Sequence, residues 1–507
     1  MRGKVYQPLP SMGKGAARRS WTIFCFLLSL VLLAASSWLY PELVSRIYDS
    51  QISARHKSPG LVSSSIGPNL TYEELQRSGS HHYSSPSELI NNPVGPDSTF
   101  EQAEGILACL KTSQSSTPLL LGDPLLHPNE CPSYFQLIHK DLEPWKETGI
   151  TLEMIEMAKP FAFFRIVILD GKLYVEDYYE CIMHRQLYTV WGLLLFLDKF
   201  RGQVPDLEFA VNCGDVPVIT KGGSADVIFS YNSNHEYYDI PFPDWSFWGW
   251  ADLFLTSWDE ERETIINGSQ RTDWKARVPK AYWTGNPYVG CPHRVELVQC
   301  HGEGSTEIRP VDWDQEWATG GPNSRLEDQC NHKYMIYTEG NGWSVSLKYI
   351  MSCGSPTLSI KPSWYDFFSR GLQQWVHYIP VRPSRLLAPE MCDSLNKAVE
   401  WAEANQGEAV RIGAAGREFM RNELSMENVY NYMFHLLREY AQLLKFKPIQ
   451  GAASLVTLDQ VLCLVEPGLH MDTLRQTIIK AMPINTVPCK MSESEENQLV
   501  EPDWESW

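Results

Sequence analysis

Residues 330–361 decide the fold: Cys330-Asn-His-Lys-Tyr-Met-Ile-Tyr-Thr-Glu-Gly-Asn-Gly-Trp-Ser-Val-Ser-Leu-Lys-Tyr-Ile-Met-Ser-Cys-Gly-Ser-Pro-Thr-Leu-Ser-Ile-Lys361. An apolar, β-rich run from Tyr334 to Tyr337 enters a turn marked by Gly340 and Gly342. Trp343, Leu347, Ile350 and Met351 then follow helical spacing, and Thr357–Ile360 reads as a second strand. This order predicts a β-loop-α-β unit, with parallel strands and a right-handed crossover. Free backbone N–H groups at the helix start, near Gly342–Ser344, suit a phosphate, and Lys348 one turn further in adds charge. The spacing is neither the dinucleotide fingerprint nor a P-loop. An ordinary crossover with a surface lysine fits the same residues.

Working outward, 507 residues leave room for two or three domains, and 43% hydrophobic content fits a globular protein. The 18 Trp and 23 Tyr suit sugar-stacking clefts, although any one Trp is more often core. A net charge of −18 excludes a general nucleic-acid binder, which needs a basic face. The charge is uneven: residues 1–20 carry Arg2, Lys4, Lys14, Arg18 and Arg19 with no acid.

That basic head abuts an uncharged run, Trp21–Tyr40, long enough to span about 30 Å as a helix. Positive charge on its N-terminal side predicts a single-pass, type II orientation, with everything after residue 41 in the secretory lumen. The alternative is a cleavable signal peptide using the small residues Ala34-Ala35-Ser36. Asn69-Leu-Thr71 and Asn267-Gly-Ser269 are glycosylation sequons. Cysteine usage fits an oxidising compartment, and no Cys/His cluster has zinc spacing, so no metal site is expected. A bridge between Cys330 and Cys353 would close a loop of about 24 residues, worth about 3 kcal/mol in the chain-entropy model. The odd lumenal cysteine count implies at least one thiol outside an intrachain bridge.

The reading divides the chain into a cytosolic head (1–20), a membrane anchor (21–40), a Ser/Pro/Gly-rich stem (41–100), a first lobe (101–270), a second lobe (271–447) and an extension with an acidic tail (448–507). In the first lobe Phe163–Leu169 and Lys172–Tyr178 flank Asp170-Gly171, a hairpin signal. Leu207–Asn212 and Val227–Tyr231 read as strands, and 186–200 as helix. In the second lobe Ala281–Trp283 and Tyr378–Val381 add strands, and 426–444 is strongly amphipathic. The alternation means α/β, as two lobes.

Four segments carry the chemistry: Pro205–Asp215, which sets a carboxylate just past a strand; the aromatic loop Phe229–Trp248; Pro279–Asn286 leading to Arg294; and 330–361. In this order they resemble the CAP10 domain of glycosyltransferase family 90, which includes Rumi-type protein O-glucosyltransferases and fungal capsule xylosyltransferases. The resemblance covers about residues 125–445. Trp343–Tyr349 and Tyr365–Gly371 look closest to its membrane-anchored plant branch. It implies a GT-B-like fold of two Rossmann-type lobes and inverting, metal-independent transfer from a UDP-sugar, with no cofactor. It also implies that Asp215 is the general base, that Arg294 meets the donor diphosphate, and that Gly342, Ser344 and Lys348 belong to the donor-binding motif. Trp245 and Trp248 are implied to lie beside the sugar, and Cys330–Cys353 matches a family disulfide; His235, which with Glu236 could suggest acid-base work, is read as a donor-sugar contact or a plain loop residue. Ser346 departs from the Rumi type, which has Arg there. The Gly285-to-Arg294 spacing is also longer.

The chemistry is coherent. An acceptor hydroxyl is a poor nucleophile, so a carboxylate within reach must take its proton as the bond forms. Departing UDP gains charge that preorganised donors must stabilise. Asp312-Trp-Asp314 is a formal DxD motif of the kind that holds divalent cations, but it is read as a solvated loop within Gly302–Gly321. A glycoside hydrolase pairing Asp215 with Glu236 or Asp239 is a competing reading, as is a non-catalytic lumenal carbohydrate-binding protein. Glucose and xylose both fit as donor sugar, a protein or a glycan as acceptor, and the Golgi or the ER as location.

Overall fold

The computed structural model describes residues 130–491 except 303, 320–324, 384–387, 466 and 480–485. The expected head, anchor and stem, Asn69 and the acidic tail from 492 lie outside the described residues. Among the described residues no helix is long and apolar enough to cross a membrane.

The first sheet orders its strands β11-β2-β1-β3-β4-β5. These are β1 (Phe164–Leu169), β2 (Lys172–Asp177), β3 (Leu207–Asn212), β4 (Phe229–Ser230), β5 (Ile240–Pro241) and β11 (Ser454–Val456). The hairpin between β1 and β2 forms because Asp170 (φ 49°) and Gly171 (φ 69°) both adopt left-handed backbone, as a two-residue turn of matching twist requires. That turn makes β1 antiparallel to β2, and β1 is antiparallel to β3 as well; only β3, β4 and β5 run parallel. The first lobe is therefore a mixed sheet, not the Rossmann-type lobe expected. Arg165 on β1 bridges Glu176 at 2.8 Å and the fully buried Glu208 at 2.7 Å, tying three strands together.

The second sheet, β10-β9-β8-β6-β7, is parallel throughout. It comprises β6 (Val278–Gly285), β7 (Thr306–Pro310), β8 (His332–Tyr337), β9 (Thr357–Ile360) and β10 (Ile379–Val381). Period-two alternation sets its two faces. Tyr282, Met335 and Tyr337 join the large core shared with the first lobe, while Ala281, Trp283, Tyr334 and Ile336 pack into a second core. Strand order reverses between β8 and β6, and ligands of open α/β sheets bind outside the carboxyl strand ends at such a point. Arg294 follows β6, and Gly340–Ser344 follows β8.

Helix α1 (Arg185–Lys199) is buried along almost its whole length. The amphipathic helix α2 (Met426–Leu443), assigned above to the second lobe, packs on the first: Tyr440 donates to the Glu208 carbonyl at 3.0 Å and Phe434 meets Phe200. The extension returns too, supplying β11 and helix α3 (Leu469–Ile479) to the first lobe. Disulfides join Cys131–Cys489, Cys181–Cys213, Cys300–Cys392 and Cys330–Cys353, and Cys291 is a buried free thiol. Asn267 is exposed near the end of helix Trp258–Ser269.

Candidate active site

Strand β3 is buried end to end and delivers Cys213-Gly214-Asp215 at its carboxyl terminus. Asn212 fixes the turn: its side-chain carbonyl accepts from the Gly214 N–H at 2.8 Å, and its amide donates to the Val216 carbonyl at 2.8 Å. Asp215 thereby points into the junction of the two lobes. One carboxylate oxygen accepts from Arg185 of α1 at 2.8 Å, the other from the Asn341 amide of the second lobe at 3.3 Å. Arg185 also donates to the Cys213 carbonyl at 2.9 Å and stacks 4.1 Å from the Trp245 ring. The Cys181–Cys213 bridge ties the approach to α1 to the end of β3, so Arg185 and Asp215 are held as a unit.

The Gly340-Asn341-Gly342 turn closes the site from the other side. Gly342 has φ +84°, and a Cβ there would sit 1.9 Å from the Asp215 carbonyl oxygen, so only glycine fits both the backbone and the space. A Cβ on Gly340 would lie 3.3 Å from an Arg294 nitrogen. One three-residue turn thus separates Asp215 from Arg294.

Arg294 is held by neutral oxygens: the Glu339 carbonyl at 2.8 Å, the Asn286 carbonyl at 3.0 Å and the Ser344 hydroxyl at 3.2 Å. Among the described residues no carboxylate lies within ion-pair distance of it. Burial pulls its pKa down, the mark of a cation short of compensating charge. Ser346 shares a hydrogen bond with Ser344 at 2.9 Å.

Three expected ligand-facing residues, Lys348, Trp248 and Trp245, are enclosed. The helix expected to start near Gly342–Ser344 begins at Ser346, after an irregular turn. Lys348 therefore faces inward at 1% exposure: it donates to Ser246 at 2.7 Å, lies 3.9 Å from Asp244, and sits between the rings of Phe247 and Tyr349. It pins the aromatic loop to the second lobe instead of facing a diphosphate. Burial lowers its pKa and, in the same pocket, raises that of Asp366 to about 6. Trp248 is fully buried, donating to Tyr430 at 3.0 Å, with its indole filling the space where a Gly192 side chain would be. It is core.

Trp245 lies at the centre of the loop's aromatic cluster, against Tyr231, Trp250 and Trp343. The indole N–H groups of Trp245, Trp250 and Trp343 are buried without an acceptor among the described residues. The cluster is core packing: Trp245 itself is 1% exposed. His235 is exposed, its ring 5.8 Å from Tyr365, where Ser233 and Tyr365 pair backbone to backbone across the lobes.

The rival motifs have local roles. Asp239 is buried and accepts from the N–H groups of Val218 and Ile219 and from the Ser230 hydroxyl, so it braces the loop and is no second catalytic carboxylate. Asp312 caps helix Trp313–Ala318 just past β7, replacing the expected solvated loop. The Asp314 side chain lies outside the described residues.

A carboxylate at a strand end of one α/β lobe, facing a cation at the switch point of the other, defines a two-lobed α/β site suited to group transfer from an anionic donor. Residues 126–503 match the family Glycosyl transferase family 90, and the chain belongs to it. It is 28% identical to protein O-glucosyltransferase 1 of Bos taurus, over 64% of this chain and 83% of that protein. With the O-glucosyltransferase rumi homolog of Anopheles gambiae it shares 29% identity, over 64% and 82% of the two chains.

Proposed function

We propose that this glycosyltransferase moves glucose or xylose from a UDP-sugar to a hydroxyl group of a protein, with inversion at the anomeric carbon, in the secretory pathway. The observation that carries the reading is the single turn, Gly340–Gly342, that holds Asp215 on one side and Arg294 on the other. Asp215 accepts two hydrogen bonds, which leaves carboxylate lone pairs for an acceptor hydroxyl. As the acceptor oxygen bonds to the anomeric carbon, its proton passes to Asp215 and the bond to UDP breaks. The electron pair leaves with the diphosphate, whose charge we assign to Arg294 and the Ser344 hydroxyl. Arg185 holds Asp215 in place while its other face supports Trp245.

A protein acceptor is favoured because the relatives named above are protein O-glucosyltransferases. Of the two carboxylates the hydrolase reading could pair with Asp215, Asp239 is spent on the loop brace and Glu236 is exposed to solvent. The basic head and the uncharged run 21–40 support a type II anchor in the Golgi or ER membrane. UDP release from UDP-glucose and UDP-xylose, with and without folded protein acceptors and with a chelator present, tests the proposal. Acceptor-dependent release with one donor is expected. Binding of glycans without release from any donor would make the chain a lectin.

A further inference from the structure

On the first lobe, one residue upstream of Arg185, three side chains from distant parts of the chain converge. His184 comes from the N-terminus of α1, Asp252 from the single turn Ala251–Leu253, and His470 from the first turn of α3. The His184 Nδ1 lies 2.9 Å from an Asp252 oxygen, and the His470 Nε2 lies 3.9 Å from that same oxygen. The two imidazoles are 4.1 Å apart between centroids, and the three ligand atoms all lie within 4.8 Å of one another.

We propose that His184, Asp252 and His470 form a zinc site that fastens the C-terminal extension to the segment carrying Arg185. Zinc bonds imidazole nitrogen and carboxylate oxygen at about 2.0–2.1 Å in tetrahedral array, which sets ligand atoms about 3.3 Å apart. The separations of 2.9 and 3.9 Å bracket that value. Two nitrogen donors disfavour magnesium and calcium, which take oxygen. A second shell is in place: the Tyr188 hydroxyl lies 3.0 Å from the His470 Nδ1 and also accepts from the Ala251 N–H. With Nδ1–H donated to that hydroxyl, the Nε2 lone pair is turned toward Asp252, as a metal ligand requires. The side chains are 16–24% exposed, which leaves water access to a fourth position.

The backbone supplies a reason for such a clamp. Met183 (φ 51°) and His184 (φ 55°) are successive non-glycine residues in left-handed conformation, a costly arrangement that needs external restraint. The Cys181–Cys213 bridge restrains one end, and a metal on His184 would restrain the other. The ion touches neither Asp215 nor Arg294 through any of these contacts. Its role is positional, and the site stands whichever reaction the enzyme performs.

The test is zinc content and affinity of the purified full-length chain, using zinc ions alone and a competing chelator. One zinc per chain is expected, with an X-ray absorption spectrum of nitrogen and oxygen ligands and no sulfur. Tyr188→Phe, which keeps the ring and removes only the second-shell hydroxyl, should weaken binding about 10–100-fold. His470→Gln should abolish the stoichiometric site while the zinc-free protein melts as the zinc-free wild type does. Should His470→Gln fail to fold, Tyr188→Phe decides alone. Zinc well below one per chain, sulfur ligation, or stoichiometric zinc insensitive to these variants would overturn the proposal.

Discussion

Gly342→Ala places one methyl group where the two lobes meet, and its effect can be worked from the structure. The backbone there has φ +84°, which a residue with a Cβ adopts at a cost of about 1–2 kcal/mol. The new carbon would stand 1.9 Å from the Asp215 carbonyl oxygen, well inside contact distance, and its neighbour is backbone held by the Asn232 amide at 2.8 Å. Relief requires the turn and the Asp215 loop to part by more than about 1 Å. Misplacement on that scale costs about 10²-fold in a reaction that depends on alignment. Overpacking adds about 1–3 kcal/mol of destabilisation. UDP release and thermal melting should therefore show kcat lower by about 10²-fold or more, with a reduced Tm. Gly340→Ala is the control: its Cβ lies nearest the Trp343 carbonyl at 3.0 Å and Arg294 at 3.3 Å, so donor KM should rise more than kcat falls. Wild-type kcat in Gly342→Ala would refute the placement of Asp215 against this turn.

Other outcomes follow from the same geometry. Arg294→Met should weaken UDP affinity by about 1.5–3 kcal/mol, the value of a hydrogen bond to a charged group, as read by calorimetry. Arg165→Leu strands the buried Glu208 and should destabilise the protein by about 3–5 kcal/mol in denaturant titration, without altering donor KM. His377, whose Nδ1 accepts from the Gln373 N–H, has its pKa lowered to about 4 by burial, with the Arg411 charge adding. The unfolded chain binds this proton more tightly, so the contribution of His377 is full above pH 6.5 and is lost as pH falls toward 4. His377→Gln should flatten that part of the Tm–pH curve relative to wild type.

Much of this was legible in the residues, and the failures have physical causes. The hairpin at Asp170-Gly171, the β-α-β unit at 330–361 and the strands at 281–283 and 378–381 are local patterns, and they read correctly. The return of 426–443 and 454–456 to the first lobe did not, because long-range packing leaves no periodic signal. Arg185 was missed for the same reason: a lone arginine at a helix start has no motif. The signal that would have found it is the Cys181–Cys213 bridge, which places it beside Asp215, but cysteine pairing is not readable from one sequence. Lys348, Trp245 and Trp248 are placed beside the ligand by family motifs, which report neighbourhood in sequence, whereas the late start of the helix at Ser346, the aromatic cluster of Tyr231, Trp250 and Trp343, and the gap at Gly192 turn the three side chains into the core.

The most direct measurement compares Asp215→Asn with wild type in two assays on the same preparation. The substitution keeps the side-chain shape and removes the basic oxygen. UDP should bind within about twofold of wild type, because the Arg294 cradle is untouched, while transfer falls by about 10²–10⁴-fold, the range for loss of a general base. Transfer near the wild-type rate in Asp215→Asn, or no UDP affinity in either protein, would contradict the account.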